Sequence, residues 1–325
     1  MTPPAVSILL PAYNREALIQ RAIDSVTRQT FTDFELIIID DASTDTTLQI
    51  ARQAAANDPR IRVIQNLRPP HGPGPARNAG LPHARAPWIA FLDSDDTWHP
   101  EKLHHFLAAT TPSTILIGSN YHLTDTHNQT RQTMWDFLES VMFPWWTRDP
   151  LTRQFIPVDD FRRDPTLIAD PANLRAMTLG GYLWPHTSSV MVQREALLAV
   201  RGFNPRLQRT EDLDLWLNLL PLGPFTYLHQ PLGDYYTCGR HHVHGPRYQH
   251  HHPRRLHTRY TEMRHHLNFI KSLPRRFPLS PPARDFWRGR ILVHHRYCWH
   301  AARPHHPLRA YWHYWQSDRL PDPIP

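Results

Sequence analysis

Residues 88–96 read Trp-Ile-Ala-Phe-Leu-Asp-Ser-Asp-Asp, an apolar run that passes straight into three carboxylates within four residues. The apolar part reads as a buried strand, and the acidic part stands where that strand leaves its sheet. Carboxylates beside a buried strand are poorly solvated and repel one another, so a chain that gathers them there holds a cation or moves a proton. Two further acidic groups occupy comparable places. Asp40-Asp41 follows the run Phe34 to Ile39, and Glu211-Asp212 opens a helix-like stretch from Glu211 to Leu220.

Outward from residue 88 the first 120 residues alternate between two periods. Val6 to Leu10, Phe34 to Ile39, Ile61 to Ile64, Trp88 to Leu92 and Ile115 to Ile117 are short apolar runs that predict buried strands. Between them, Ala17 to Thr27 carries Leu18, Ala22, Ile23 and Val26 at helical spacing, with Asn14 as the expected cap, and Thr46 to Ala56 follows Ser43 and Thr44. Strand and helix in alternation imply an α/β fold, a Rossmann-like, mostly parallel sheet flanked by helices, with ligands bound beyond the carboxyl ends of the strands. Residues 121 to about 180 lose this rhythm and read as an insertion. Regular structure resumes with a strand at Ser188 to Val192, a helix at Arg194 to Val200 and a strand at Phe225 to Leu228. The expected organisation is an α/β half (1–120), a second half with the insertion and the Glu211-Asp212 pair (121–239), and a basic, His/Arg-rich helical extension (240–325).

Charge separates the extension from the rest. Residues 1–239 hold 20 Lys+Arg against 25 Asp+Glu, whereas residues 240–325 hold 16 against 4 together with 15 of the 24 histidines. A surface of that sign suits nucleic acid, an anionic membrane leaflet or an anionic substrate, and equally a solvated helical face in an arginine-rich protein. Cys238 and Cys298 are too few for a disulfide framework. No stretch has the composition of a signal peptide or of a membrane helix, so the expectation is a cytoplasmic protein, with peripheral contact to the inner membrane through the basic extension.

Individual residues then suggest chemistry. Pro11-Ala12-Tyr13-Asn14 follows the first strand and puts an aromatic ring at the mouth of the sheet, where it can stack on a base. Asp40, closing the second strand, can accept a hydrogen bond from the N3–H of a uracil. Each has a plainer reading, Tyr13 as a packing residue and Asp40-Asp41 as part of a turn with helix caps. Asp93 and Asp95 suit Mg²⁺ or Mn²⁺, hard ions that take one or two carboxylates from the protein and complete their shell with water and phosphate, while Asp96 or Thr97 suits a helix cap. Asp212, at a helix N-terminus, is placed to stay ionised and to accept a proton; Glu211 also reads as a helix-start residue that never meets substrate. Cys238 to Gly245 is a cationic loop in which Arg240, His242 and His244 could close over a diphosphate.

Taken in order and spacing, VSILLPAYN, FELIIIDDASTDTT, PARNAGL, WIAFLDSDDTWHP and EDLDLWLNLL resemble the family 2 glycosyltransferases of the GT-A fold, over residues 5 to 240. The resemblance implies that Tyr13 and Asp40 hold the nucleotide base, that Arg77 lies near the nucleotide, that Asp93 and Asp95 form the DxD element facing ribose, metal and diphosphate, and that Asp212 is the catalytic base of an inverting transfer. It implies a nucleotide-sugar donor, UDP-linked, and a glycan or lipid-linked acceptor of the cell envelope, with no nucleic acid as partner. Three departures stand out. Ala42 replaces the usual glycine after the aspartate pair, Asn218 stands where an arginine is common, and the QxxRW signature of processive synthases is missing. Two other readings compete. A metal-dependent nucleotidyltransferase would want a glycine- and lysine-containing phosphate loop, which Pro11 to Ala17 does not offer; a non-catalytic binding protein would act through the basic extension alone.

Overall fold

The structure, a computed structural model, describes residues 2–66, 72–126, 129–134, 136, 186–207, 211–223 and 225–237. Over these the chain runs β1 (Val6–Ala12), α1 (Ile19–Thr27), β2 (Phe34–Asp40), α2 (Thr47–Asn57), β3 (Ile61–Gln65), α3 (Pro73–Gly80), β4 (Trp88–Phe91), β5 (Thr97–Trp98), α4 (Lys102–Ala108), β6 (Leu116–Asp125), β7 (Thr130–Thr133), β8 (Val190–Gln193), α5 (Arg194–Ala199), α6 (Glu211–Leu219) and β9 (Phe225–Thr237). The strands form one sheet in the order β3-β2-β1-β4-β8-β6-β9-β5, with β7 hydrogen-bonded to β6. β3, β2, β1 and β4 are mutually parallel, β8 enters antiparallel between β4 and β6, and β6 and β9 run parallel to each other. The sheet therefore passes without a break across residue 120. The expected basic extension, 240–325, lies outside the described residues.

The parallel block is apolar on both faces, and strict alternation sorts its side chains. Val6, Ile8, Leu10, Leu36, Ile38 and Leu92 join a buried cluster with Ile19, Ile23, Val26 and Ala51 of α1 and α2 and Leu103 and Phe106 of α4. The alternate residues face the opposite layer, where Phe91 meets Phe203 edge-on at 5.3 Å and Trp216 of α6 at 6.2 Å. Each such aliphatic or aromatic side chain, fully withdrawn from water, contributes about 1.5–3 kcal/mol. The strand ends are thereby fixed firmly, and the loops at their carboxyl ends sit on a rigid floor.

Local chemistry shifts some boundaries from the expected ones. α1 begins at Ile19, without a side-chain cap, because residues 15–18 form a turn closed by the Leu18 N–H on the Arg15 carbonyl. Asn14 is not its cap. With φ of 51° it turns its Oδ1 toward the neighbouring loop, accepting from the Thr44 N–H at 2.8 Å. Ala42 keeps the backbone a glycine would adopt, with φ of 63°, so the replacement preserves the turn and costs strain of about 1–2 kcal/mol. β6 and β9 extend far past the apolar runs that announced them, through Ser-Asn-Tyr-His-Leu-Thr-Asp and Gln-Pro-Leu-Gly-Asp-Tyr-Tyr-Thr.

Candidate active site

Two loops meet at the carboxyl ends of β1 and β2. Asn14 N–H donates to Ser43 Oγ at 3.1 Å, Arg15 N–H to Thr47 Oγ1 at 2.7 Å, and Glu16 accepts from the backbone and hydroxyl of Thr46 at 3.1 and 2.7 Å. Pro11 is buried within β1 opposite Ile39, and half-buried Tyr13 follows the strand directly. Asp40 ends β2 with no exposed surface. Its Oδ2 accepts from the Ser43 N–H at 3.3 Å, but its Oδ1 has no partner. A buried acceptor left unpaired is costly, so this oxygen fits a ligand that brings its own donor. Asp41 does a different job. Its two oxygens take Asn66 Nδ2 at 2.8 Å and Gly72 N–H at 3.2 Å, tying the end of β3 to the start of α3.

The acids after β4 are built into a second network. The Arg77 guanidinium, 2% exposed, ion-pairs with Asp93 Oδ1 through Nη2 and lies 3.8 Å from Glu211 Oε1 through Nη1, so the end of β4 and the start of α6 share one buried cation. α3 comes this close to α6 because residue 74 is glycine; a Cβ there would sit 3.1 Å from Glu211 Cγ. The neighbouring Asn78 fixes the loop leading to α6. Its amide donates to the Phe203 carbonyl at 2.6 Å and accepts from the Phe203 N–H at 2.8 Å, an approach that a side chain at Gly202 (φ 66°) would block at 2.4 Å from Asn78 Oδ1.

Asp96, expected as a helix cap, is instead 1% exposed in the centre of the group. Ser188 Oγ donates to its Oδ2 at 2.5 Å, the Tyr236 N–H reaches its Oδ1 at 3.3 Å, and the same Ser188 Oγ accepts from the Asp93 N–H at 3.0 Å. His186 Nδ1 lies 3.5 Å from Asp96 Oδ2 and its Nε2 4.0 Å from Asp93 Oδ2. One ligand atom each from Asp93, Asp96 and His186 falls within 4.8 Å of the others. The Tyr235 ring packs at 4.2 Å from the imidazole. Asp95 presents its carbonyl to Arg21 Nη2 at 2.7 Å, and that guanidinium lies 3.6 Å over the Tyr236 ring.

Electrostatics separates the acids. Burial and the charges of Asp95 and Asp93 push the Asp96 carboxyl well above the usual range. Burial also acts upward on Asp93, but the charges of Arg77 and His186 outweigh it and hold that carboxyl below its ordinary value. Burial raises Asp212, opposed by the Leu213 N–H and by Arg77 and reinforced by Asp93. The helix end does favour the anion at Asp212, whose Oδ1 accepts from Leu213 N–H at 2.7 Å, yet desolvation wins. Glu211 is pushed up to about 7 by burial and by Asp212, with Arg77 acting downward. Crowded carboxylates, and an imidazole beside them, make a donor set that fits a divalent cation.

Thus the structure brings Arg77, Asp93, Glu211 and Asp212 within electrostatic reach of one another, with Asp95 next to Asp93 and Asp96, and it leaves Pro11, Tyr13 and Asp40 at the adjoining ends of β1 and β2. His186 and Ser188 escaped the sequence reading, because nothing in a His-Thr-Ser run before a strand announces which loop it will face. Arg240, His242 and His244 lie outside the described residues.

Residues 7–166 match the family model described as glycosyl transferase family 2. The chain carries a family 2 glycosyltransferase domain. Over 233 residues it is 28% identical to TuaG of Bacillus subtilis (strain 168), named as a teichuronic acid biosynthesis glycosyltransferase, covering 71% of this chain and 79% of that one. It also matches a chondroitin synthase of Pasteurella multocida (strain Pm70), 27% identical over 70% of this chain, but spans only 20% of that protein's length. Among solved structures, the mannosyltransferase PcManGT of Pyrobaculum calidifontis, in complex with GDP-Man and Mn²⁺, superposes with a TM-score of 0.58 at 16% identity, over 99% of this chain and 77% of that one. S. aureus TarS 1–349 in complex with UDP-GlcNAc superposes with a TM-score of 0.55 at 16% identity, over 96% and 88%. The fold is GT-A, and the domain is that of a glycosyltransferase using a nucleotide-sugar donor. Among the described residues no helix is long and apolar enough to cross a membrane.

Proposed function

We propose that this glycosyltransferase moves a single sugar from a UDP-sugar to a hydroxyl of a cell-envelope glycan or lipid-linked acceptor, with inversion at the anomeric carbon. The observation that carries the reading is the buried Arg77, whose guanidinium contacts both Asp93 and Glu211 and so holds the acids after β4 beside those that open α6. In this reading the unpaired Asp40 Oδ1 accepts the N3–H of uracil while Tyr13 covers the base. Arg77 turns part of its donor capacity to the diphosphate. Asp212 accepts the acceptor's proton as that oxygen bonds to the anomeric carbon and the bond to the diphosphate breaks on the opposite face; its raised proton affinity makes it the stronger base for this task. Asp93, Asp96 and His186, whose ligand atoms converge, together with Asp95 next to them in the chain, are the residues that would hold Mg²⁺ or Mn²⁺, which when bound offsets the charge of the departing diphosphate.

Asp212→Asn tests the mechanism. Transfer, followed as UDP release in the presence of acceptor, is expected to fall by about 10²–10⁴-fold, with the calorimetric affinity for UDP and Mn²⁺ unchanged. Full transfer in that variant would overturn the assignment. A panel of UDP- and GDP-sugars, scored by released nucleotide, tests the base, since guanine also offers a donor to Asp40. The charge segregation in the sequence favours one addition: residues 240–325 dock an anionic acceptor or leaflet. Full-length protein should then sediment with anionic but not neutral phospholipid vesicles, and do so less at high salt.

A further inference from the structure

We infer a second metal site, separate from the donor site and built for a borderline divalent ion such as Zn²⁺, from His99, His122 and Asp234, with Arg131 standing in the ion's place when no metal is bound. The residues come from three neighbouring strand segments. His122 of β6 pairs directly with Asp234 of β9, Asp234 pairs on its other side with Thr97 of β5, and His99 follows β5 with its N–H on the Leu232 carbonyl. Strand pairing sets His122 beside Asp234, and the backbone hydrogen bond of the residue after β5 brings His99 up to them.

The ligand atoms already converge. His99 Nε2 lies 3.1 Å from Asp234 Oδ2, His122 Nδ1 lies 4.0 Å from Asp234 Oδ1, and one donor atom from each residue falls within 4.8 Å of the others. Ligands of a tetrahedral zinc at its usual bond lengths stand about 3.3 Å apart, so only small side-chain rotations are needed. At present a cation of another kind fills the centre. Arg131 Nε donates to Asp234 Oδ1 at 2.8 Å, and its Nη2 reaches His122 Nδ1 at 2.9 Å and His99 Nε2 at 3.4 Å. A guanidinium has donors only, so His122 must present a lone pair to it, which is the form a metal requires. Thr124 Oγ1 gives Asp234 a further hydrogen bond at 3.0 Å, the kind of outer support that orients a ligating carboxylate.

Charge and exposure favour exchange. Asp234 meets His99, Arg131 and Thr124 at 3.1, 2.8 and 3.0 Å. Arg131 lies on β7, whose residues are largely exposed, and half its side-chain surface is open to water, so it can swing out and be replaced. Two imidazoles and one carboxylate suit Zn²⁺, Co²⁺ or Ni²⁺, whereas the group at Asp93, Asp96 and His186, with one imidazole among carboxylates, suits a harder ion.

The test is a count of tightly bound Zn²⁺ on the full chain, by competition with a chromogenic chelator in excess Mg²⁺ and UDP to occupy the donor site. His99→Ala and His122→Ala should each bind one equivalent fewer than the wild type while keeping its UDP affinity. The histidines of residues 240–325 are common to all variants and cancel in the difference. Arg131→Ala, on an exposed edge strand and so harmless to folding, should bind the same equivalent several-fold more tightly, because the competing cation is gone. Unchanged stoichiometry in both histidine variants, or no tightening in Arg131→Ala, would overturn the inference.

Discussion

Arg77 and Arg131 both hold carboxylates, and their surroundings make them opposites. Arg77 lies under the parallel block, 2% exposed, between Asp93 and Glu211; Arg131 lies on the β7 edge, 50% exposed, against Asp234. Water screens the second and not the first. A charge removed from water must keep its partners, because losing one strands the others in a poorly polarisable interior, whereas a screened pair contributes little and exchanges partners readily. The buried arginine is therefore a fixture of the candidate site, and the exposed one, on the inference above, a replaceable occupant.

The largest test of that contrast is Arg77→Met, which leaves Asp93 and Glu211 facing each other without a cation. Denaturant unfolding should show a loss of about 3–5 kcal/mol, and UDP affinity should fall with it. A loss below about 1 kcal/mol would mean the network is wetter than its geometry indicates. Next comes Asp40→Asn. Its amide can still accept from the Ser43 N–H but turns an N–H toward the place of the orphaned oxygen, so UDP binding should weaken by about 1.5–3 kcal/mol in calorimetry while folding stability holds or improves.

A smaller effect separates Glu211 by its proton. Its carboxyl, ordinarily near 4.5, is raised to about 7, so the protonated form favours the folded state, and that contribution fades as pH climbs through about 7. Glu211→Gln removes the dependence. The melting temperature of the variant relative to wild type should rise between pH 5 and pH 8, and a constant difference would show that Glu211 does not titrate in this range. Smallest of all is Arg131→Ala without metal, for which unfolding should register less than about 1 kcal/mol.

The same division governs how much of the molecule its sequence disclosed. In the parallel block both sheet faces are covered, so β1, β2, β3 and β4 read as largely apolar runs, interrupted at Ser7, Glu35 and Arg62, and their ends fell within a residue or two of the observed ones. The outer strands are covered unevenly. The polar ends of β6 and β9, with His122, Thr124 and Asp234 in place, carry no apolar signal, and the expected strands stopped at residues 117 and 228. α3, built from Pro-Gly-Pro-Ala-Arg-Asn-Ala-Gly, offered neither period nor propensity and forms because it packs. At the site, Asp40, Asp93 and Arg77 were legible because each adjoins a readable strand or motif. Ser188 and His186, far away in sequence, and the buried place of Asp96 were not, since their meaning depends on which distant backbone they meet.

Asn78 carries no charge and is not among the groups assigned to the donor, yet its two hydrogen bonds to Phe203 fasten α3 to the segment that delivers α6. Grip and proton removal are thus machined from one block. In the proposed mechanism, the acid that would accept a proton is kept from drifting away from Arg77 by a single amide held at both of its ends. Any shift of residues 202–207 has to pivot around that pin, which keeps the spacing between α3 and the start of α6 constant.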